Sequence, residues 1–130
     1  MIGDVDSFEC GVPWGVLRIE GVGSGSPTPE LDIDHAMTAA TDGCLLVSVV
    51  HHDIGRLAVS ITRRDAPDGF VRMFSGELTA PELLVEVGDV VGDDFAYRYP
   101  VSTDPVTVAV FADDWAEATE ICLVISDVSL

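Results

Sequence analysis

Two adjacent histidines followed by an aspartate, His51-His52-Asp53, are the residues of this chain best suited to moving a proton. An imidazole titrates near neutrality, and a carboxylate beside it can orient the ring and steady its charged form. His35, next to Asp34, offers a second pair of the same kind. General-base work also needs a group to activate, and the sequence provides no partner motif. It has no Gly-x-Ser-x-Gly elbow, no His-Glu-x-x-His helix and no arrangement of paired glutamates. Histidines where a strand runs into a turn are ordinary polar edge residues, so no catalytic residue is expected.

Carboxylate clusters are the second kind of candidate: Asp32-x-Asp34, Asp93-Asp94 and Asp113-Asp114. Calcium takes six to eight oxygens, which loops at one end of a β-sandwich can supply, as in C2-type domains. None of the clusters has the Asp-x-Asp-x-Asp-Gly spacing of an EF-hand loop, and adjacent carboxylates on an extended chain point to opposite sides. Solvated acidic loops are the simpler reading, with no metal and no cofactor. The glycines of segment 23–29 lack the Gly-Lys-Ser/Thr that would make them a phosphate cradle.

Aromatic residues near loops form the third group: Trp14, Phe111 and Trp115. Trp115 follows Asp113-Asp114 and comes just before Glu117, an aromatic within an acidic rim. Binding energy at protein interfaces concentrates in such aromatics. Asp93, Asp94, Asp113, Asp114, Trp115 and Glu117 are therefore the expected partner contacts. The competing expectation is that Trp115 closes one end of the core.

Two-residue periodicity dominates the elements that must position these groups. A strand is predicted over 16–22, with Leu17 and Ile19 on one face and Val16, Arg18 and Glu20 on the other. The Gly/Ser/Pro segment 23–29 is a loop. A short helix is predicted over 34–41, with Asp34 as N-cap and Gly43 beyond its end. The continuous apolar run 44–51 suits a strand buried on both faces. It leads through a hairpin turn at 52–55 into the alternating strand 56–64, with Leu57, Val59 and Ile61 inward. After a turn at 65–69, strands are predicted over 70–79, 83–87, 95–99, 106–112 and 121–128. Eight strands with at most one short helix indicate an all-β, antiparallel β-sandwich, a barrel being the other closure. No repeat or linker divides residues 1–130, so a single domain is expected.

With 130 residues, 48% of them hydrophobic, the chain has the material for one packed core. No apolar run approaches the ~18 residues of a membrane span. Asp4, Asp6 and Glu9 stand where a signal peptide would be basic and then apolar, so a cytoplasmic protein is expected. Cys10, Cys44 and Cys122 are odd in number and widely spaced. Cys44 and Cys122 lie in aliphatic runs and read as small core residues.

Charge is the outstanding property: 23 acidic residues against 6 basic ones, every one of them arginine, for a net charge of −17. Residues 1–42 carry −7, residues 43–80 none and residues 81–130 carry −10. Such a surface repels phosphate backbones and anionic lipid, which argues against nucleic acid and membrane as partners. It attracts and steers a basic protein. Solubility alone, or a salt-adapted host, would also account for the acidity.

The layout resembles the competence protein J family, small two-sheet β proteins that inhibit a nuclease acting as DNA enters the cell. The opening strand 16–20 leads to the Ser26-Pro27 turn and the Asp32/Asp34/Ala36 stretch. An apolar strand preceded by Gly43 and the strand 56–64 follow. Late in the chain come Pro100 or Pro105, the strand 106–111, and an end at Asp127-Val128-Ser129. The resemblance implies nuclease inhibition by binding, without catalysis. Charge points the same way, because a nuclease groove lined with Lys and Arg can be occupied by carboxylates, as toxin-immunity proteins do. The expected function is thus an acidic inhibitor or immunity-type protein that neutralises a basic partner such as a nuclease. A C2-like, calcium-dependent interaction module is the alternative.

Overall fold

The computed structural model describes residues 5–91 and 94–130. Ten strands are described: β1 (Val5–Cys10), β2 (Val16–Gly21), β3 (Thr38–Ala40), β4 (Cys44–Ser48), β5 (Leu57–Thr62), β6 (Val71–Leu78), β7 (Leu84–Asp89), β8 (Ala96–Pro100), β9 (Val106–Ala112) and β10 (Glu120–Ile125). A 3-10 turn at Pro13–Gly15 links the first two. One five-stranded sheet has the order β1-β5-β10-β9-β6 and the other β3-β4-β2-β7-β8. This is the expected all-β sandwich.

The alternating patterns put their apolar faces together. Leu17 and Ile19 of β2 register with Val47 and Leu45 of β4 on one side and with Asp89 and Val87 of β7 on the other. Opposite them, Ile121 and Leu123 of β10 pair with Val59 and Ile61 of β5 and with Ala112 and Val110 of β9. All of these apolar side chains are buried. Each fully buried aliphatic side chain contributes about 1.5–3 kcal/mol, so this two-sided layer holds the sandwich closed. Both faces of the run 44–47 are buried, as its continuous apolarity predicts.

Four local features depart from the sequence reading. The pairing of β5 with β10 is parallel, whereas the other ladders are antiparallel. Segment 63–70 must therefore return along the sheet before β6 begins. Residues 34–41 do not form the expected helix. Asp32 O accepts the amides of His35 at 3.0 Å and Ala36 at 2.8 Å in a single turn, and Thr38–Ala40 then pairs with β4. The ladder bonds to Leu45, Leu46 and Val47 outweigh the helix propensity of two alanines. Residues 52–55 form a turn but no hairpin, because β4 and β5 belong to different sheets. Finally, β1 and β3 are strands that the sequence did not announce, and both lie at sheet edges.

The edge strands β1 and β8 clasp the two sheets together. Phe8 stacks on Tyr97 with ring centroids 4.2 Å apart, and Tyr99 Oη donates to Asp6 Oδ2 at 2.8 Å. On the outer face of the second sheet, Arg18 is buried, donating to Glu20 at 2.8 Å, Glu86 at 2.7 Å and the Asp89 carbonyl at 2.9 Å. Arg98 adds a second guanidinium to Glu86 at 3.0 Å. No helix among the described residues is long and apolar enough to cross a membrane.

Candidate functional site

Register fixes which loops meet. Cys10 pairs with Leu57, Ser48 with Val16, Asp89 with Leu17 and Ala112 with Ile121. So β1, β4, β7 and β9 finish at the same end of the sandwich where β2, β5, β8 and β10 begin. Bonds between loops tie this end together: Val49 N–H to Gly15 O and Val50 N–H to Ala118 O, each 2.9 Å. Segment 22–37 starts at the far end and arrives here, where Met37 O accepts the Ser48 amide at 2.8 Å. Thus 13–15, 32–37, 49–56 and 113–119, together with Asp94, occupy one end.

Four large apolar side chains project from these loops into solvent: Trp14 (73% exposed), Ile33 (56%), Ile54 (74%) and Trp115 (51%). Trp14, Ile33 and Ile54 line a shallow depression of about 320 Å³ with His51, Ala116 and Glu117. Seven carboxylates stand on the described residues of the same loops: Asp32, Asp34, Asp53, Asp94, Asp113, Asp114 and Glu117, beside the one arginine Arg56. An apolar centre with a polar, charged rim is the ordinary anatomy of a protein-binding patch.

Each loop is held by its own chemistry. Asp113 accepts the Thr119 amide at 2.9 Å, the Thr119 hydroxyl at 2.6 Å and the Glu120 amide at 3.0 Å. Burial alone would raise its pKa, but these bonds outweigh burial and bring it below the ordinary value. Asp114 Oδ1 accepts the amides of Ala116 at 2.8 Å and Glu117 at 3.0 Å, an Asx turn that carries Trp115 at its bend. Trp14 has φ 64°, a conformation that costs a non-glycine residue about 1–3 kcal/mol and that persists where surroundings impose it. Gly15 follows at the same φ, and a Cβ on it would stand 2.9 Å from Val49 O. Glycine is required there for the Trp14 turn to seat on β4.

Of the expected contacts, Asp94, Asp113, Asp114, Trp115 and Glu117 come together at this end, and Asp93 lies outside the described residues. Trp115 is exposed and does not close the core. Asp113 and Asp114 shape the loop as well as charge it. Trp14, Ile33 and Ile54 belong to the patch although the sequence reading did not place them among the contacts. Their signal was present: each is an apolar residue inside turn chemistry, in Pro13-Trp14-Gly15, Asp32-Ile33-Asp34 and Asp53-Ile54-Gly55.

The chemical alternatives gain little. Neither His51 nor His52 bonds to a hydroxyl or thiol among the described residues; their neighbour is Asp53. His35 Nδ1 lies 2.7 Å from Asp32 Oδ2, an exposed pair. Among the described residues, Asp32, Asp34, Asp94, Asp113 and Asp114 do not converge into a group of three ligands.

The sequence matches no family model and no curated protein. Among solved structures the chain is similar to ComJ of Bacillus subtilis, described as the inhibitor of the DNA-degrading activity of NucA. The likeness has a TM-score of 0.67, covers 98% of this chain and 99% of that one, and comes with 6% identity. At that identity the likeness speaks to architecture alone: the chain shares the fold of ComJ over 98% of its length.

Proposed function

We propose that this protein is an acidic inhibitor that binds a basic, DNA-degrading nuclease through the Trp14/Trp115 end of the sandwich, acting by occupancy and without catalysis. The observation that carries the reading is the convergence of four exposed apolar side chains and seven carboxylates on loops fixed by hydrogen bonds. A nuclease groove presents Lys and Arg to phosphates, so it offers both the opposite charge and a concave wall for the two tryptophans. The ComJ fold supports the same partner class, since that neighbour inhibits a nuclease. Asp94, Asp113, Asp114, Trp115 and Glu117 are the proposed contacts, with Asp93 beside them in the sequence, and Trp14, Ile33 and Ile54 join them. A reducing cytoplasm suits three cysteines that are all free.

The experiment is a DNA-degradation assay with a purified nuclease from the same organism, of the kind that the structural neighbour inhibits, titrated with this chain. Loss of activity reaching completion near equimolar chain supports the proposal. Undiminished activity at large excess contradicts it.

A further inference from the structure

We propose that the turn at His51-His52-Asp53 binds one divalent transition-metal cation of the zinc class, through one imidazole nitrogen of each histidine and the Asp53 carboxylate. These three are the group of potential ligands that the described residues bring together, with every ligand atom within 4.8 Å of the others.

The spacings fit such an ion. Asp53 Oδ1 lies 3.1 Å from His52 Nε2, and Asp53 Oδ2 lies 3.6 Å from His51 Nδ1. Two ligands each about 2.1 Å from a tetrahedral zinc stand about 3.4 Å apart, so each carboxylate oxygen already sits near that spacing from one imidazole, and the remaining separations, all within 4.8 Å, must close slightly on binding. The two imidazole rings are neighbours, with centroids 4.4 Å apart and planes tilted by 31°.

The backbone holds the turn in this shape before any ion arrives. His52 N–H donates to Val12 O at 3.1 Å, while Ile54 N–H and Gly55 N–H both donate to His51 O, at 2.9 and 3.1 Å. Behind His52 stands Gly11, where a Cβ would come within 3.2 Å of the His52 Cβ. The Asp53 amide donates to His51 Nδ1 at 3.1 Å, so that nitrogen's lone pair is engaged by the amide until a cation displaces it. A bound cation takes over that lone pair, and the amide, being exposed, turns to water.

The donor set chooses the ion. Two imidazoles and one carboxylate suit zinc, nickel or copper, whereas calcium requires six to eight oxygens. Three protein ligands leave a position open to water or to a donor from another molecule. His51 and Ile54 also line the depression beside Trp14. Occupancy therefore brings positive charge to the centre of the acidic end and opposes a basic partner there.

The test is calorimetric titration of the full-length chain with zinc chloride, paralleled by tryptophan emission during titration with nickel chloride, an open-shell quencher. The expected result is one saturable equivalent, no heat from calcium chloride, and quenched emission. His51→Ala, His52→Ala and the shape-conserving Asp53→Asn should each raise Kd by roughly tenfold or more. His35→Ala should leave it unchanged. Absence of saturable zinc binding overturns the proposal. So does binding that survives the three turn variants at native melting temperature, or that is lost with His35→Ala.

Discussion

Thr119 Oγ1 donates to Asp113 Oδ2 at 2.6 Å, closing the β9–β10 loop six residues beyond the carboxylate that accepts it. Together with the Asx turn of Asp114, this bond decides where Trp115 stands. Charge and loop shape are thus carried by the same two residues, and substitutions can separate them. Asp114→Asn keeps the Oδ1 acceptor and removes a charge, so it should slow association with a basic partner and leave dissociation alone. Asp113→Ala removes three accepted bonds, so it should lower stability by about 1 kcal/mol and speed dissociation as well. Stopped-flow association and surface-based dissociation rates distinguish the two. Identical kinetics for both variants would mean that the loop's shape is irrelevant to binding.

Trp14 and Trp115 should behave as binding residues rather than core residues. Truncating a buried tryptophan costs about 3–5 kcal/mol of stability. With 73% and 51% of their surfaces exposed, Trp14→Ala and Trp115→Ala should move the melting temperature little while each raises the dissociation rate severalfold. Thermal melts run beside the kinetics decide the matter. A large drop in melting temperature with unchanged dissociation would return Trp115 to the core. Gly15→Ala should be worse than either for folding, because its φ of +64° and the nearby Val49 carbonyl leave a side chain no room.

Acid should loosen the fold through Glu86. Burial by itself would raise its pKa, but hydrogen bonds and charge from Arg18 and Arg98 outweigh burial and hold it below its ordinary value of 4.5. The unfolded chain therefore takes up the proton first as pH falls. The stability contributed by Glu86 is complete well above pH 4.5 and is lost as pH drops through the depressed native value. Asp113 acts with the same sign from its ordinary 3.8. Chemical denaturation across about pH 5 to 3 should show falling stability, with a shallower slope for Glu86→Gln. An unchanged slope would remove Glu86 as the source.

The thiols should be silent until the protein unfolds. Burial pushes Cys10 and Cys44 up to about 11 and raises Cys122 as well, so thiolate is scarce near neutrality. Ellman's reagent at mildly alkaline pH should find almost no reactive thiol in the native chain and three in denaturant, with or without prior reduction. A count that grows after reduction would contradict free cysteines.

Much of this architecture is legible in the sequence because period two is a strong signal. Leu17 and Ile19, or Val106, Val108 and Val110, declare their inner faces without help. Partner choice is not legible in that way. The apolar run 44–51 and the alternating strand after it look like two arms of a hairpin, yet Val49 and Val50 carry the chain from one sheet to the other. Thr38–Ala40 becomes strand because β4 offers an open edge, which local propensity cannot report. The site divides similarly. The acidic rim at 113–117 was visible as composition, whereas its convergence with Trp14, Ile33 and Ile54 depends on which strand ends coincide. Asp113 looked like a contact and is also a brace, a role set by Thr119 six residues away.

The most direct test of the acidic-inhibitor account is the association rate of this chain with the purified nuclease, measured across ionic strength for the native protein and the Trp14→Ala/Trp115→Ala double variant. Exposed charges are screened beyond about 10 Å at 0.1 M salt, so the native association rate should fall steeply as salt rises. The double variant should keep that salt slope while losing most of its affinity through faster dissociation, and with it the inhibition of DNA degradation. An association rate indifferent to salt, or full inhibition by the folded double variant, would contradict the account.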